Sequence, residues 1–293
     1  MGQEVFDPKI MSSAHINFLF GSGVNGSAFP TMDGFTETKK IIKEKTGKDV
    51  GIEEGIDLLG NDAGRKEVIA LFENEFSKFE NSTDFSNASI KNIEKLFKAV
   101  NSLVEVSENR QPQMKQVNIF TLNYDNIVES SLKNCGLICT AVSPASLAFE
   151  NVFLNLVGYR PDIKKYIPTY LLLKLHGDSK DKSMVFPGNG KFRAALDARE
   201  FELLFDMKSK LSAFNSILIV IGYSGHDEDV NGIIKSFISS GLTVFWFKYK
   251  KEDVIPASLA SGVIPVENES NPIDGTLQCQ KLLSQLWTQS SGK

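Results

Sequence analysis

The sequence predicts an α/β protein on a doubly wound parallel sheet, with a helical insertion after its first strand, and three observations carry that expectation. Apolar runs at 16–20, 117–122, 170–175, 217–221 and 242–249 are continuous instead of alternating, as strands covered on both faces require. The stretches between them place apolar residues three and four apart, the spacing of helices that bury one side. Glycines and polar residues follow the strands directly, at the point where a sheet of this kind forms its ligand crevice.

The first strand, 16–20, runs into GSGVNG at 21–26, a literal G-x-G-x-x-G. In a hydride-transferring dehydrogenase a helix would follow at once, and an acid about 20 residues on would end a second strand and hold a ribose. Here Pro30 and Gly34 prolong the loop, and the later window reads IIKEKTGKDV, which is polar and helical. A dehydrogenase is therefore disfavoured. Two readings of the glycines stay open: a phosphate-binding loop after a strand, or a tight turn for backbone reasons alone.

Helical periodicity covers 36–46, 64–80 and 88–106, with the loop-like NSTDFSNAS at 81–89 joining two of these helices. An insertion of about 36–110 results, and a minor one is expected at about 141–168. The strand at 117–122 leads into Asn123, Tyr124 and Asp125, then a helix whose start pairs Asn126 with Glu129 in a capping-box pattern. The strand at 170–175 leads into His176, Gly177 and Asp178. A helix spans about 196–214. The strand at 217–221 leads into GYSGHD, with Asp227, Glu228 and Asp229 in the first turn of the next helix, where the dipole favours acids. A helix at 277–289 follows the last strand, and all of 1–293 is read as one domain.

Composition narrows the function. A net charge of −4 with scattered lysines offers no basic block for a nucleic acid, and no apolar run reaches the roughly 18 residues of a membrane span. The first residues show neither a signal-peptide core nor a myristoylation pattern, so the expected location is cytoplasmic. The three cysteines, Cys135, Cys139 and Cys279, include no second pair to complete a zinc site and are read as buried free thiols.

Each polar strand-end residue has a plain explanation. Asn123 could make an Asx turn and His176 could be a packed histidine; His226 reads as an exposed helix-start residue and His15 as structural. Taken together, four strands ending in glycine, Asn, His and Ser would converge on one crevice, which favours a site.

The ordered set FGSGVNG, TLNYD, KLHGD and IGYSGHD resembles the sirtuin (Sir2-like) family, and more closely its zinc-free bacterial branch of antiphage-defence NADases. The resemblance implies a Rossmann-like fold without a zinc module. It implies that Gly21, Ser22, Gly23 and Asn25 approach the pyrophosphate of NAD, and that Pro30 and Asp33 lie in a loop over the nicotinamide ribose. By the same resemblance Asn123 and Asp125 line the nicotinamide end, His176 is the base, and Gly222, Ser224 and Asp227 hold the adenosine half. The chain departs from the family pattern at Ser22, Asn25 and Leu122.

Nicotinamide leaves NAD as a neutral molecule, so cleavage of its ribose bond needs no general acid, and the oxocarbenium-like transition state asks for shape, an orienting amide and one base. Asn123 and His176 are suited to that chemistry. Residues 176–224 contain no cysteine, whereas a deacylating sirtuin sets its acyl-lysine cleft against a four-cysteine zinc module. The expected activity is thus NAD+ hydrolysis with NAD as substrate and no metal. An NAD-dependent protein-lysine deacylase and a silent NAD or ADP-ribose-binding module are the alternatives. A toxic hydrolase needs a gate, and the resemblance points to a homo-oligomer or a separately encoded HerA-type ATPase or Argonaute-like partner.

Overall fold

The computed structural model describes residues 6–60, 63–106, 110–145, 169–181, 183–186, 200–250, 252–267 and 274–290. The strands are β1 His15–Phe20, β2 Gln116–Thr121, β3 Ile138–Val142, β4 Thr169–Lys174, β5 Ser216–Ile221, β6 Thr243–Phe247 and β7 Val263–Val266. They form one sheet in the order β3-β4-β2-β1-β5-β6-β7, parallel throughout. The chain winds from β1 toward β2, β3 and β4 on one side, then returns past β1 to lay down β5, β6 and β7 on the other. The direction of winding therefore reverses between β1 and β5, the point at which such sheets open a crevice.

Strand alternation divides the core into two layers. Ile16, Phe18 and Phe20 of β1 share one face with Val117, Ile119, Tyr170, Leu172, Ile217 and Ile219. Helices α2 Thr36–Thr46, α4 Ala63–Asn81, α5 Ala88–Val106, α6 Ile127–Asn134 and α9 Gly275–Ser290 contribute to that layer, and the short helices α1 Pro8–Met11 and α3 Ile52–Leu58 add to its edge. Leu19, Phe120, Leu171, Leu173, Leu218 and Val220 face the opposite layer, which α7 Glu200–Leu211 and α8 Glu228–Ile238 cover. The insertion between β1 and β2 thus packs as a helical layer on the sheet. In α5 the apolar positions Ile93, Leu96, Phe97, Val100 and Val104 are buried, as their three- and four-residue spacing requires.

At the amino ends of β2, β1 and β5 a buried amide ladder crosses the second face. Gln116 Nε2 donates to Asn118 Oδ1 at 2.9 Å, Asn118 Nδ2 to Asn17 Oδ1 at 2.8 Å, and Asn17 Nδ2 to Ser216 Oγ at 2.8 Å and the Ile217 carbonyl at 2.9 Å. A one-residue slip of register would turn these amides toward the other, apolar layer, so the ladder helps specify strand alignment.

Several expectations need correction. Strands β3 and β7 escaped the sequence reading because they are the sheet edges: β3 exposes or half-exposes most of its residues, and β7 is four residues long with Pro265 inside it. Edge strands lose the continuous apolar signature and tolerate proline. Residues 141 and 142 close β3 instead of opening an insertion, and 146–168 of that expected insertion lie outside the described residues. The helix expected at 196–214 is described as Glu200–Leu211, with 196–199 outside the described residues. The capping box at Asn126 and Glu129 does not form. Asn126 bonds Glu80 instead, Asp125 Oδ1 accepts the Ile127 N–H at 3.0 Å, and Glu129 pairs with a buried lysine. The cysteines are free thiols, but only Cys279 is fully buried, Cys135 and Cys139 being half-buried. Burial pushes the Cys139 thiol up to about 12, which removes it as a nucleophile near neutral pH.

Candidate active site

Register places the polar strand-end residues at one level. Phe20 pairs with Thr121 on one side and Ile221 on the other, and Thr121 pairs with Lys174. The ladder continues one residue past the strands, from Leu122 N to Phe20 O at 3.1 Å, Leu175 N to Thr121 O at 2.9 Å and Gly21 N to Ile221 O at 3.1 Å. Ser22, Asn123, His176 and Tyr223 are each the second residue beyond their strand. Four neighbouring strands, β4-β2-β1-β5, thereby present Asn123 and His176 beside the glycine turn at the reversal point.

The glycine turn is a 3-10 turn, Ser22–Asn25, and not the start of an α-helix. Gly23 N donates to Gly222 O at 3.0 Å, so the loops after β1 and β5 are bonded main chain to main chain. A Cβ on Gly21 would stand 2.4 Å from Gly222 O, and one on Gly222 would stand 2.2 Å from Val24 N. Gly222 also has a φ of 69°, which an L side chain rarely adopts. The close approach of two backbones is thus a sufficient reason for glycine at both positions.

Asn25 turns inward from this loop, is buried, and donates from Nδ2 to Asp125 Oδ2 at 2.7 Å. Its Oδ1 is buried and, among the described residues, has no hydrogen-bond partner. Asn123 donates from Nδ2 to Gly21 O at 3.3 Å, and its own N–H is held by Thr121 Oγ1 at 3.1 Å. Burial pushes the Asp125 carboxyl above the usual range, against the pull of the Ile127 N–H, Lys174 and Asn25.

Behind Asp125 stands Lys174, a residue overlooked when the 170–175 run was read simply as apolar. It is completely buried, donates to the Tyr124 and Asp125 carbonyls at 3.2 and 2.8 Å, and pairs with Glu129 at 2.8 Å and Asp178 at 3.1 Å. Burial works to lower its pKa, but Glu129 and Asp178 outweigh that and the net direction is upward. Burial pushes Glu129 upward in turn, opposed by Lys174. A single Lys within a Leu-rich run was the available signal, because an unpaired buried ammonium is prohibitively costly and implies carboxylates nearby.

The loop carrying His176 is tied to the same structure. Val185 N donates to His176 O at 2.8 Å, Tyr124 Oη donates to Val185 O at 2.8 Å, and Ser179 N donates to Tyr124 O at 3.1 Å. The Tyr124 ring lies against Phe72, Phe76 and Phe186, while Phe29 and Phe35 from the loop after the glycine turn pack on Phe76 and Phe79. Helix α4 of the insertion therefore seats both loops through aromatic contacts.

His176 Nε2 lies 2.9 Å from Asp227 Oδ2. Asp227, expected at the adenosine half, is the N-cap of α8, its Oδ1 accepting the Val230 N–H at 2.9 Å. The structure joins Gly21, Gly23, Asn25, Asn123, Asp125 and Gly222 by direct contacts, and joins His176 to Asp227. Ser22, Ser224 and His226 are exposed at the rim. Asp33 faces solvent and pairs with Lys39 at 2.8 Å, and Pro30 lies beneath Gly34. Among the described residues, no group of three or more His, Cys, Asp or Glu side chains is arranged to hold a metal.

Comparison with known proteins places this geometry. Residues 117–262 match the SIR2-like domain. That segment contains TLNYD, KLHGD and IGYSGHD and runs from β2 to the residue before β7, leaving the glycine turn and the helical insertion outside it. A solved structure described under the mechanism and regulation of Sir2 enzymes aligns with 97% of this chain and 96% of its own, at a TM-score of 0.51 and 11% identity. At that identity the likeness establishes the fold, which extends the Sir2-like Rossmann architecture over the glycine turn as well. No curated protein matches the chain in sequence.

Proposed function

We propose that this protein is an NAD+ hydrolase. The observation that carries the reading is the placement of Asn123 and His176 at one level on adjacent strands, beside the glycine turn at the reversal point of a Sir2-like sheet. In this reading water attacks C1′ of the nicotinamide ribose as the N-glycosidic bond breaks. The bonding pair returns to the pyridinium ring, nicotinamide leaves neutral, and the proton of the water passes to His176. Asn123 orients the ribose or the water, and the buried Asn25 Oδ1, without a partner among the described residues, offers an acceptor to a ligand hydroxyl or amide.

The same reading makes the chain the effector of an antiphage system, held silent until it assembles with itself or with a HerA-type ATPase or Argonaute-like partner. The deciding assay incubates purified protein with NAD+, with and without an acetylated peptide, and quantifies nicotinamide, ADP-ribose and acetyl-ADP-ribose. In the assembled state, nicotinamide and ADP-ribose in equal amounts without peptide are expected. Acetyl-ADP-ribose formed only with peptide would overturn hydrolysis in favour of deacylation, and NAD+ binding without turnover, alone or in the assembled state, would mark a binding module.

A further inference from the structure

We propose that Asp227 is a positioning residue for His176, holding the ring in the Nε2–H tautomer so that Nδ1 carries the lone pair that takes the proton. The proposal rests on the reading of His176 as the base, and it gives Asp227 a role at the reacting end in place of the adenosine half.

The geometry separates the two carboxylate oxygens. Oδ1 accepts the Val230 N–H at 2.9 Å and closes the amino end of α8, while Oδ2 lies 2.9 Å from His176 Nε2. An ionised carboxylate has no proton to give, so the nitrogen facing it must be the one that bears hydrogen. The main chain that carries the carboxylate is itself held. Tyr223 Oη accepts the Asp227 N–H at 3.2 Å and lies 3.0 Å from both the Asp227 carbonyl and Asn231 Oδ1, and Asn231 Nδ2 donates to Gly225 O at 2.7 Å. His176 is anchored from its own side by the Val185 N–H on its carbonyl. Both side chains are largely enclosed, at 17% and 12% exposure, so solvent competes weakly for the contact. A carboxylate that only capped α8 would need one oxygen, whereas here the second oxygen also reaches the imidazole.

This division of labour makes the isosteric variant informative. In Asp227→Asn the amide oxygen must remain on the Val230 N–H, because an amide nitrogen cannot accept that bond. The amide NH2 then faces His176 Nε2, which has to become the acceptor, and the proton moves to Nδ1. The fold and the cap survive while the lone pair points the wrong way. Asp227→Ser keeps a helix cap but reaches the ring with nothing, leaving a mixture of tautomers.

The test records nitrogen-15 imidazole spectra of the full chain, with His176 assigned by its loss in His176→Ala, alongside steady-state NAD+ cleavage. The expected result is Nε2–H in the parent, Nδ1–H in D227N and a mixture in D227S. In D227N, kcat should fall by about 10²–10⁴-fold with KM changed by less than about threefold. Nδ1–H in the parent, or the same tautomer in parent and D227N, would overturn the proposal. So would unchanged kcat in both variants of an active protein. If the parent cleaves no NAD+ either alone or in the assembled state, hydrolysis fails as a function, while the tautomer spectra still decide whether Asp227 sets the ring.

Discussion

The two ends of strands β2, β1 and β5 are both polar and both buried, yet they are built on opposite plans. At the amino ends, Gln116, Asn118, Asn17 and Ser216 consume one another's hydrogen-bonding capacity across the sheet. At the carboxyl ends, among the described residues, Asn25 keeps an oxygen without a partner and the Asn123 amide reaches a loop carbonyl at 3.3 Å. A closed network of amides stabilises register and offers a ligand nothing. An open one costs stability until a ligand supplies the missing donor, which is why polarity alone does not mark a site and unspent polarity does.

The contrast yields tests in which one end governs turnover and the other governs stability. The largest effect is expected from His176→Ala, which should lower nicotinamide release by about 10²–10⁴-fold. NAD+ binding by calorimetry and the urea midpoint should stay near the parent values; full activity in this variant would remove the base from the mechanism.

Lys174→Met should cost about 3–5 kcal/mol of folding free energy, because Glu129 and Asp178 are then left without their buried counter-charge. Lys174 also confers a pH signature. Its folded pKa lies above the ordinary lysine value of 10.5, so its contribution is whole below that pH and is lost as pH rises through the folded value. Thermal melts of the parent should therefore weaken in that alkaline window, and the loss should be shallower in the Met variant.

A smaller cost, about 1–3 kcal/mol by urea denaturation, is expected for Asn118→Leu, which removes the Asn118 donor from Asn17 Oδ1 at the closed end. Turnover at low temperature should be untouched; a selective loss of activity would break the distinction between the two ends. Asp33→Ala should change the melting temperature least of all, since its pairing with Lys39 is exposed to solvent and screened. A large effect of Asp33→Ala on KM alone would bring that loop into the ligand site.

Much of this arrangement was legible in the chain itself. The five interior strands and the long helices announced themselves through continuous apolar runs and three- and four-residue spacing, and the candidate residues of the crevice through their position just past strands. The edges were illegible for a physical reason: β3 and β7 are each covered on fewer sides, so selection for apolarity is relaxed where Ile138 and Ile264 meet solvent. The GSGVNG turn was legible as a glycine turn but not as half of a pair. Its partner, Gly222, comes 201 positions after Gly21, and only strand order brings the two backbones into contact.

By itself the sequence determined the fold class, the parallel winding and the level at which Asn, His and glycine would emerge, because those depend on periodicity and turn chemistry within a few residues. Tertiary structure alone decided that Asn25 bonds Asp125, that Asp227 faces His176 rather than open solvent, and that the one lysine of an apolar strand is enclosed by carboxylates. Such pairings join residues from 4 to 100 positions apart. They arise when the crossover helices bury their apolar faces and set the strand order, and the polar groups left at the strand ends must then find partners among whichever neighbours that order supplies.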